Sequence, residues 1–355
     1  MRLRTVLSEA WRNLVSGTTR AILFAILLGG VTGGLATADA LTIVGIQNAA
    51  ERYLASGAAV RTLTTDSEVD GETCERLAEL GDISRTGALR EAPPTELPAL
   101  PRSPLTTYEA SPTFADLLEI TPETTGVWLS RALATSLGVD VGDEIATVSG
   151  TASVSAIYEY PEDGRDARLS IAMIIPVATE GTFDECWARV WPENPQYDNL
   201  LRSATVPGAG ESEPINISQL NKSEGSSFDG REIFLNRVTR WSFAVAIVGG
   251  LCVGWIAVAR RRVEYASSLH AGQGRGAFTA TVLVETVAWI MVAAILGAEI
   301  TALALILATT SIERDLYVGL LGIVNAGSAA ALLGAASATL FVQAKHLFKF
   351  FKQRT

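Results

Sequence analysis

LFAILLGGVTGGLATADAL, residues 23–41, decides the fold, because this long apolar run carries a single charge, Asp39. About 20 apolar residues in a helix cross the hydrocarbon core of a bilayer, and a helix satisfies its own backbone groups in lipid. Three further runs of this kind follow, at 241–259, 278–307 and 319–342. Between the first and second lies a long stretch that is mostly polar and acidic. The chain therefore reads as an α-helical membrane protein: four transmembrane helices, with a large α+β extracytoplasmic domain inserted between the first and second.

Charge supplies the orientation. Residues 42–240 hold 15 Lys and Arg against 31 Asp and Glu, a net of −16, while the remainder holds 13 against 7, a net of +6. Positive residues flank the apolar runs: Arg2, Arg4, Arg12 and Arg20 before the first, Arg260, Arg261, Arg262 and Arg275 between the second and third. Lys345, Lys349, Lys352 and Arg354 follow the fourth. Loops rich in Lys and Arg stay in the cytoplasm. Both termini and the 260–275 loop are thus expected inside, and the acidic domain outside. Arg231, Arg237 and Arg240 weigh the other way. The basic start, apolar run and Ala36-Thr37-Ala38 also resemble a cleavable signal peptide. The long, helix-forming N-terminal region favours an uncleaved span.

In residues 1–15, Leu3, Val6, Leu7, Ala10, Trp11, Leu14 and Val15 form one apolar stripe at helical spacing, with Arg2, Arg4, Ser8, Glu9, Arg12 and Asn13 on the other face. Such a basic amphipathic helix lies in the membrane interface, in contact with lipid. After Leu41 the helical pattern persists through Ile43, Ile46, Ala50, Tyr53 and Leu54, so the first span continues as a stalk. In the inserted domain, strands are expected at 58–64 and 83–91, with a helix at 72–80. Residues 92–104, with five prolines, read as a loop. A second pattern begins near 126, with a strand at 127–129, a helix at 130–137 and a Gly-Asp turn, then strands at 144–148, 152–158 and 171–176. Residues 207–221 read as a loop. Residues 228–240 read as the start of the helix that becomes the second span. Cys74 and Cys186 both fall in the domain expected outside, where a disulfide is preferred over two free thiols. Cys252 lies in the second span.

Catalytic signals are scarce. The two histidines, His270 and His346, fall in segments expected inside, which leaves the external domain without a Ser-His-Asp triad or a His-ligated zinc site. No Gly-Lys dipeptide occurs, hence no phosphate-binding loop. Glu285 and Glu299 in the third run and Asn325 in the fourth are intramembrane polar residues, which are expensive and marked as functional or structural pairs. Glu285 lies within reach of the 260–262 arginine cluster. Pairing inside the bundle is expected for these acids.

Ser8-Glu9-Ala10-Trp11-Arg12-Asn13-Leu14 resembles the amphipathic helix that leads MacB/FtsX-type ABC transporter permeases, the mechanotransmission class, where Glu-Ala-x-x-Asn-Leu is common. Arg261-Arg262-Val263-Glu264-Tyr265-Ala266, running to Leu269-His270-Ala271-Gly272, resembles that family's coupling segment, often Arg-x-x-Glu-Ile-Gly-x-x-(+)-Ala-x-Gly. Tyr265-Ala266 stands where Ile-Gly is usual, and Leu269 where a basic residue is common. Glu285 matches a frequent Glu of the third span, and residues 127–143 resemble the second external subdomain.

The resemblance implies a permease homodimer in a bacterial cell membrane, each copy docked on a separate cytoplasmic ABC ATPase subunit that binds ATP and Mg. No cofactor is expected in this chain, and no nucleic acid. Arg261, Arg262, Glu264, Tyr265, Ser268, Leu269 and Gly272 are the expected ATPase-coupling residues. The implied organisation is an amphipathic helix at 1–17, spans at 20–43, 241–259, 276–308 and 319–342, and stalks at 44–57 and 231–240. The external domain occupies 58–230, with subdomains at about 58–125 and 126–206. The coupling segment is 260–275 and a basic tail is 343–355. The expected role is export or extraction of a peptide, antibiotic or lipid-linked molecule. The alternatives are activation of a cell-wall hydrolase by an FtsX-like regulator, or a stand-alone membrane receptor.

Overall fold

The structure, a computed structural model, describes residues 3–343 apart from 82, 99, 149, 195, 211–213 and 310–313. The basic tail with Lys345, Lys349, Lys352 and Arg354, as well as His346, lies outside the described residues. In chain order come helices α1 (Leu3–Val15) and α2 (Ala21–Ala55), then strand β1 (Val60–Asp70) and α3 (Gly71–Arg76). Strands β2 (Ile83–Leu97) and β3 (Leu100–Ala110) precede α4 (Phe114–Leu117), β4 (Val127–Ser130) and α5 (Arg131–Leu137). Next are β5 (Glu144–Thr147), β6 (Gly150–Tyr158), β7 (Met173–Pro176), β8 (Thr182–Val190), α6 (Gln196–Arg202) and β9 (Asn216–Gln219). Helices α7 (Gly230–Asn236), α8 (Ser242–Ala259), α9 (Arg262–His270), α10 (Arg275–Ala308) and α11 (Arg314–Phe341) complete the chain. Two compact units result, one of residues 1–47 with 231–355, the other of residues 48–230.

The first unit is a helix bundle. Four of its helices are long and apolar enough to cross a membrane. Their apolar residues do not stop at the packed faces: Ile22, Ile26, Val248, Met291, Ile295, Leu333 and Leu340 all point outward and are exposed. A helix that is apolar all round belongs in lipid or in a large core, and this bundle has no further layer to bury it. These are the spans of a membrane protein. Small residues set how closely they pack. A Cβ on Gly33 of α2 would lie 2.8 Å from the Gly297 Cα of α10, and one on Gly254 of α8 would strike the Ala331 carbonyl of α11. Lipid offers no hydrophobic drive for helix association, so backbone approach at such residues carries the packing.

Residues 228–240 do not form the leading part of one long helix. Helix α7 stops at Asn236, Arg237 adopts an extended conformation (ψ 136°), and a single 3-10 turn precedes α8. The break has a cause in Arg237, whose guanidinium is drawn to the carboxylate of Asp39, Nε to Oδ1 2.8 Å, while Nη1 caps the Phe234 carbonyl.

The second unit is a nine-stranded sheet in the order β5-β6-β4-β7-β3-β2-β8-β1-β9. Strand β8 lies between β2 and β1, antiparallel to both. Its alternating side chains serve two cores: Trp187 packs with Phe114, Leu169 and Ile174, whereas Phe183, Cys186, Ala188 and Val190 pack with Leu63, Leu77 and Ile83. Strand β8 falls in the expected second subdomain (126–206), whereas β1 and β2 fall in the expected first (58–125). A strand from the second half completes the sheet of the first, so the two halves share one sheet. Cys74 on α3 is disulfide-bonded to Cys186 on β8 (Cα–Cα 5.8 Å).

Two expected loops are strands. Residues 92–104 belong to the long β2–β3 hairpin, with Ala92 opposite Thr107, Thr95 opposite Leu105 and Leu97 opposite Leu100. Proline gives no N–H to a ladder and is tolerated in strands at bulges and edges. Pro93 and Pro94 fall inside the first register shift, Pro98 in the turn, and Pro101 and Pro104 inside the second shift. The prolines mark irregularities of pairing, not its absence. Residues 216–219, inside the expected 207–221 loop, form β9 on the free edge of β1.

Candidate functional site

Buried charge in the bundle gathers where α1, α9 and α10 meet. Arg261 caps the start of α9, and its guanidinium reaches two carboxylates. Nη1 donates to Glu285 Oε2 on α10 at 2.6 Å, and Nε and Nη2 donate to Glu264 on α9 at 2.9 and 2.6 Å. The other oxygen of Glu285 accepts from Asn13 Nδ2 on α1 at 2.6 Å. Arg261 also lies 4.7 Å over the ring of Tyr265, which packs edge-on against Phe278 of α10. Helices α1, α9 and α10 are thereby joined through four polar side chains.

Burial differs sharply among the members. The side chains of Arg261 and Glu285 are 10% and 5% exposed, whereas Glu264 is 49% exposed. Removing ions from water is costly unless they are paired and hydrogen-bonded, a condition that this arrangement meets. Burial pushes the Arg261 guanidinium toward its neutral form, but the bond from Glu264 and the surrounding negative charge outweigh it and raise its pKa. Arg261 is a fixed cation. Burial raises the Tyr265 hydroxyl well above its ordinary range.

The expected coupling residues divide into two faces. Arg261 and Tyr265 turn into the bundle and are therefore not surface contacts. Leu269 packs partly against the cluster around Val258 and Phe278. Glu264 and Gly272 are exposed, and Arg262 and Ser268 are half-buried, with the Ser268 hydroxyl donating to the Glu264 carbonyl at 3.2 Å. Gly272 has φ +97°, the left-handed turn that ends α9. The arrangement offers no nucleophile or acid–base pair in a cleft. Among the described residues no group of His, Cys, Asp and Glu gathers to hold a metal. It can carry force.

Glu299 and Asn325 are not drawn into this junction. Glu299 lies four turns along α10 from Glu285, about 21 Å at 1.5 Å per residue. Both side chains are exposed on the outer surface of the bundle, and among the described residues Glu299 makes no ion pair. The expected pairing of Glu299 within the bundle is not formed, because its face of α10 is the outward one, shared with Ile295 and Leu303. A second buried pair escaped the sequence reading: Arg237 and Asp39, 15% and 9% exposed. The signal lay in Asp39, the one charge of the first apolar run. Asn13 was legible only as part of the amphipathic motif.

No family model matches the sequence, and no curated protein matches it. Among solved structures, the periplasmic region of MacB from Actinobacillus actinomycetemcomitans is similar at TM-score 0.34 and 9% identity, over 48% of this chain and 94% of that one. A domain of a putative permease protein from Porphyromonas gingivalis is similar at TM-score 0.31 and 13% identity, over 50% of this chain and 95% of that one. At scores this low neither likeness assigns an activity or a partner to this chain.

Proposed function

We propose that this chain is the membrane-spanning permease subunit of an ABC transporter complex, passing motion from a separate cytoplasmic ATPase to a sheet domain outside the membrane. The Asn13–Glu285–Arg261–Glu264 junction carries this reading. It fastens the exposed helix α9 to α1 and α10 through buried charges, so that a push on α9 displaces the bundle instead of being absorbed by a loose loop. The resemblance of residues 261–272 to a coupling segment gives that push its source. Helix α2, unbroken from Ala21 to Ala55, gives it an outlet, because its last turn leads directly to β1 of the sheet domain. The positive flanks support a cytoplasmic location for both termini and α9. Arg237, which weighs against this orientation, is neutralised by Asp39.

In this account Glu264 and Gly272 belong to the face that meets the ATPase, with ATP and Mg bound there. Arg261 and Tyr265 transmit behind it. Two copies of the chain, one per ATPase subunit, would complete the assembly. The moving sheet domain acts on an extracytoplasmic substrate.

The test is purification of the tagged full chain from its own membranes, followed by an assay for ATP hydrolysis. Hydrolysis should co-purify with the wild-type chain, be lost with Glu264→Arg and persist with Glu299→Gln. A pure chain without hydrolysis, or full hydrolysis with Glu264→Arg, would overturn the reading.

A further inference from the structure

Helices α10 and α11 leave a cavity of about 480 Å³ between the start of the first and the end of the second. That volume falls in the range of small-ligand pockets, about 300 to 1,000 Å³. Arg275 and Gly276, both exposed, form its mouth, and Thr279, Leu283 and Leu340 form its sides. Thr279 and Leu283 are half-buried, and Leu340 is 73% exposed. These groups are open to the outside of the bundle.

Polarity changes along the groove. Arg275 opens the span and Leu283 lies two turns inside it, about 12 Å along the helix. A cation thus stands at one end and apolar carbon at the other. Among the described residues no hydrogen bond or ion pair engages the Arg275 side chain. The wall carries no acidic residue, so its charge is a single uncompensated positive one. The apolar end is continuous with the lipid-facing surface, because Leu340 is exposed beside Phe341. The segment 344–355 is an unsuitable cover, since its Lys345, Lys349, Lys352 and Arg354 repel Arg275.

We propose that this groove holds an anionic phospholipid, its phosphate accepting from the Arg275 guanidinium and one acyl chain lying against Leu283 and Leu340. A zwitterionic lipid brings the same phosphate but adds an ammonium, for which the wall offers no acid. Basic pockets between membrane helices select anionic headgroups on this ground.

The test places the full chain in nanodiscs of phosphatidylcholine doped with brominated phosphatidylglycerol or, separately, brominated phosphatidylcholine. Leu340→Trp adds a reporter at the groove, and subtracting the wild-type signal removes the seven native tryptophans. The anionic lipid should reach half-maximal quenching of the reporter at about a fivefold lower fraction, the worth of one basic side chain near the membrane surface. Adding Arg275→Gln should bring the ratio close to one. Leu333→Trp, a lipid-facing position on α11 outside the groove, should give a ratio close to one throughout. If Leu340→Trp does not fold, Leu283→Trp carries the reporter instead. A ratio of one at the groove, the same preference at Leu333→Trp, or a preference that survives Arg275→Gln would overturn the proposal. A groove reporter quenched by neither lipid would overturn it too, and would give the groove to a second copy or to residues 344–355. The inference rests only on the spans lying in a bilayer. No ATPase is present, so failure here leaves the coupling reading untouched.

Discussion

Glu285 shows how a single intramembrane acid is made tolerable and then useful. Its two oxygens are taken by Arg261 and Asn13. Loss of Glu285 strips the buried Arg261 of one carboxylate and leaves it only the half-exposed Glu264; breaking a buried pair costs up to about 3–5 kcal/mol, whereas replacing both partners with apolar groups is often near neutral. Glu285→Leu should therefore lower the unfolding temperature of the purified protein markedly. The double variant Glu285→Leu with Arg261→Met should recover most of that loss yet fail to couple ATP hydrolysis to motion. A double variant as unstable as the single one would refute the pairing. The sheet domain has its own charge ledger. Hydrogen bonding from Thr73 holds the Asp70 carboxyl below its ordinary range. Burial pushes Asp163 and Glu119 up, but Arg165 in the first case and Arg85 with Arg189 in the second outweigh it and hold both low. Groups depressed on folding contribute stability above their ordinary pKa, about 4, and lose it as pH falls through the folded value. Tryptophan-monitored melting should thus be flat from pH 7 to about 5 and fall below about pH 4. A melting temperature that rises on acidification would contradict this.

Among the elements, the helices were legible and the sheet was legible only in part. Four apolar runs identify themselves by length and composition, whereas Pro93, Pro94, Pro98, Pro101 and Pro104 mask a hairpin. Local sequence reports where N–H groups are missing but not that a neighbouring strand can skip them. Strand β8 illustrates a second limit. No strand was expected at 182–190, and nothing local reveals that it pairs with β1 and β2, more than ninety residues away. The disulfide depends on that pairing, which brings Cys186 beneath α3. Cys74→Ser should destabilise the sheet domain by roughly 4–5 kcal/mol in the chain-entropy model, read from denaturant unfolding with and without reductant. An unchanged midpoint would show that the bridge bears no load. Helix crossings are as specific. Gly33→Val, which forces a side chain into Gly297, should cost about 1–3 kcal/mol, while Gly34→Val, with open space around it, should cost far less. Equal effects on thermal stability would place the α2–α10 contact elsewhere.

For the whole molecule, charge and hydropathy in the sequence sort the chain into two environments, and the structure shows two compact units with the boundaries near 47 and 231. The candidate junction was half visible. Glu285 and the 260–262 arginines announce themselves as unusual charges beside apolar runs, whereas Asn13, 272 residues from Glu285, is an ordinary polar residue until the fold brings it there. The central claim is that ATP binding at a partner is felt at α9 and delivered through the bundle to the end of α2. Hydrogen exchange on the purified complex, with and without a non-hydrolysable ATP analogue, tests it most directly. Altered amide protection is expected in α9 and also in residues 50–57 at the end of α2. Protection that changes in α9 alone, or nowhere in this chain, would contradict it.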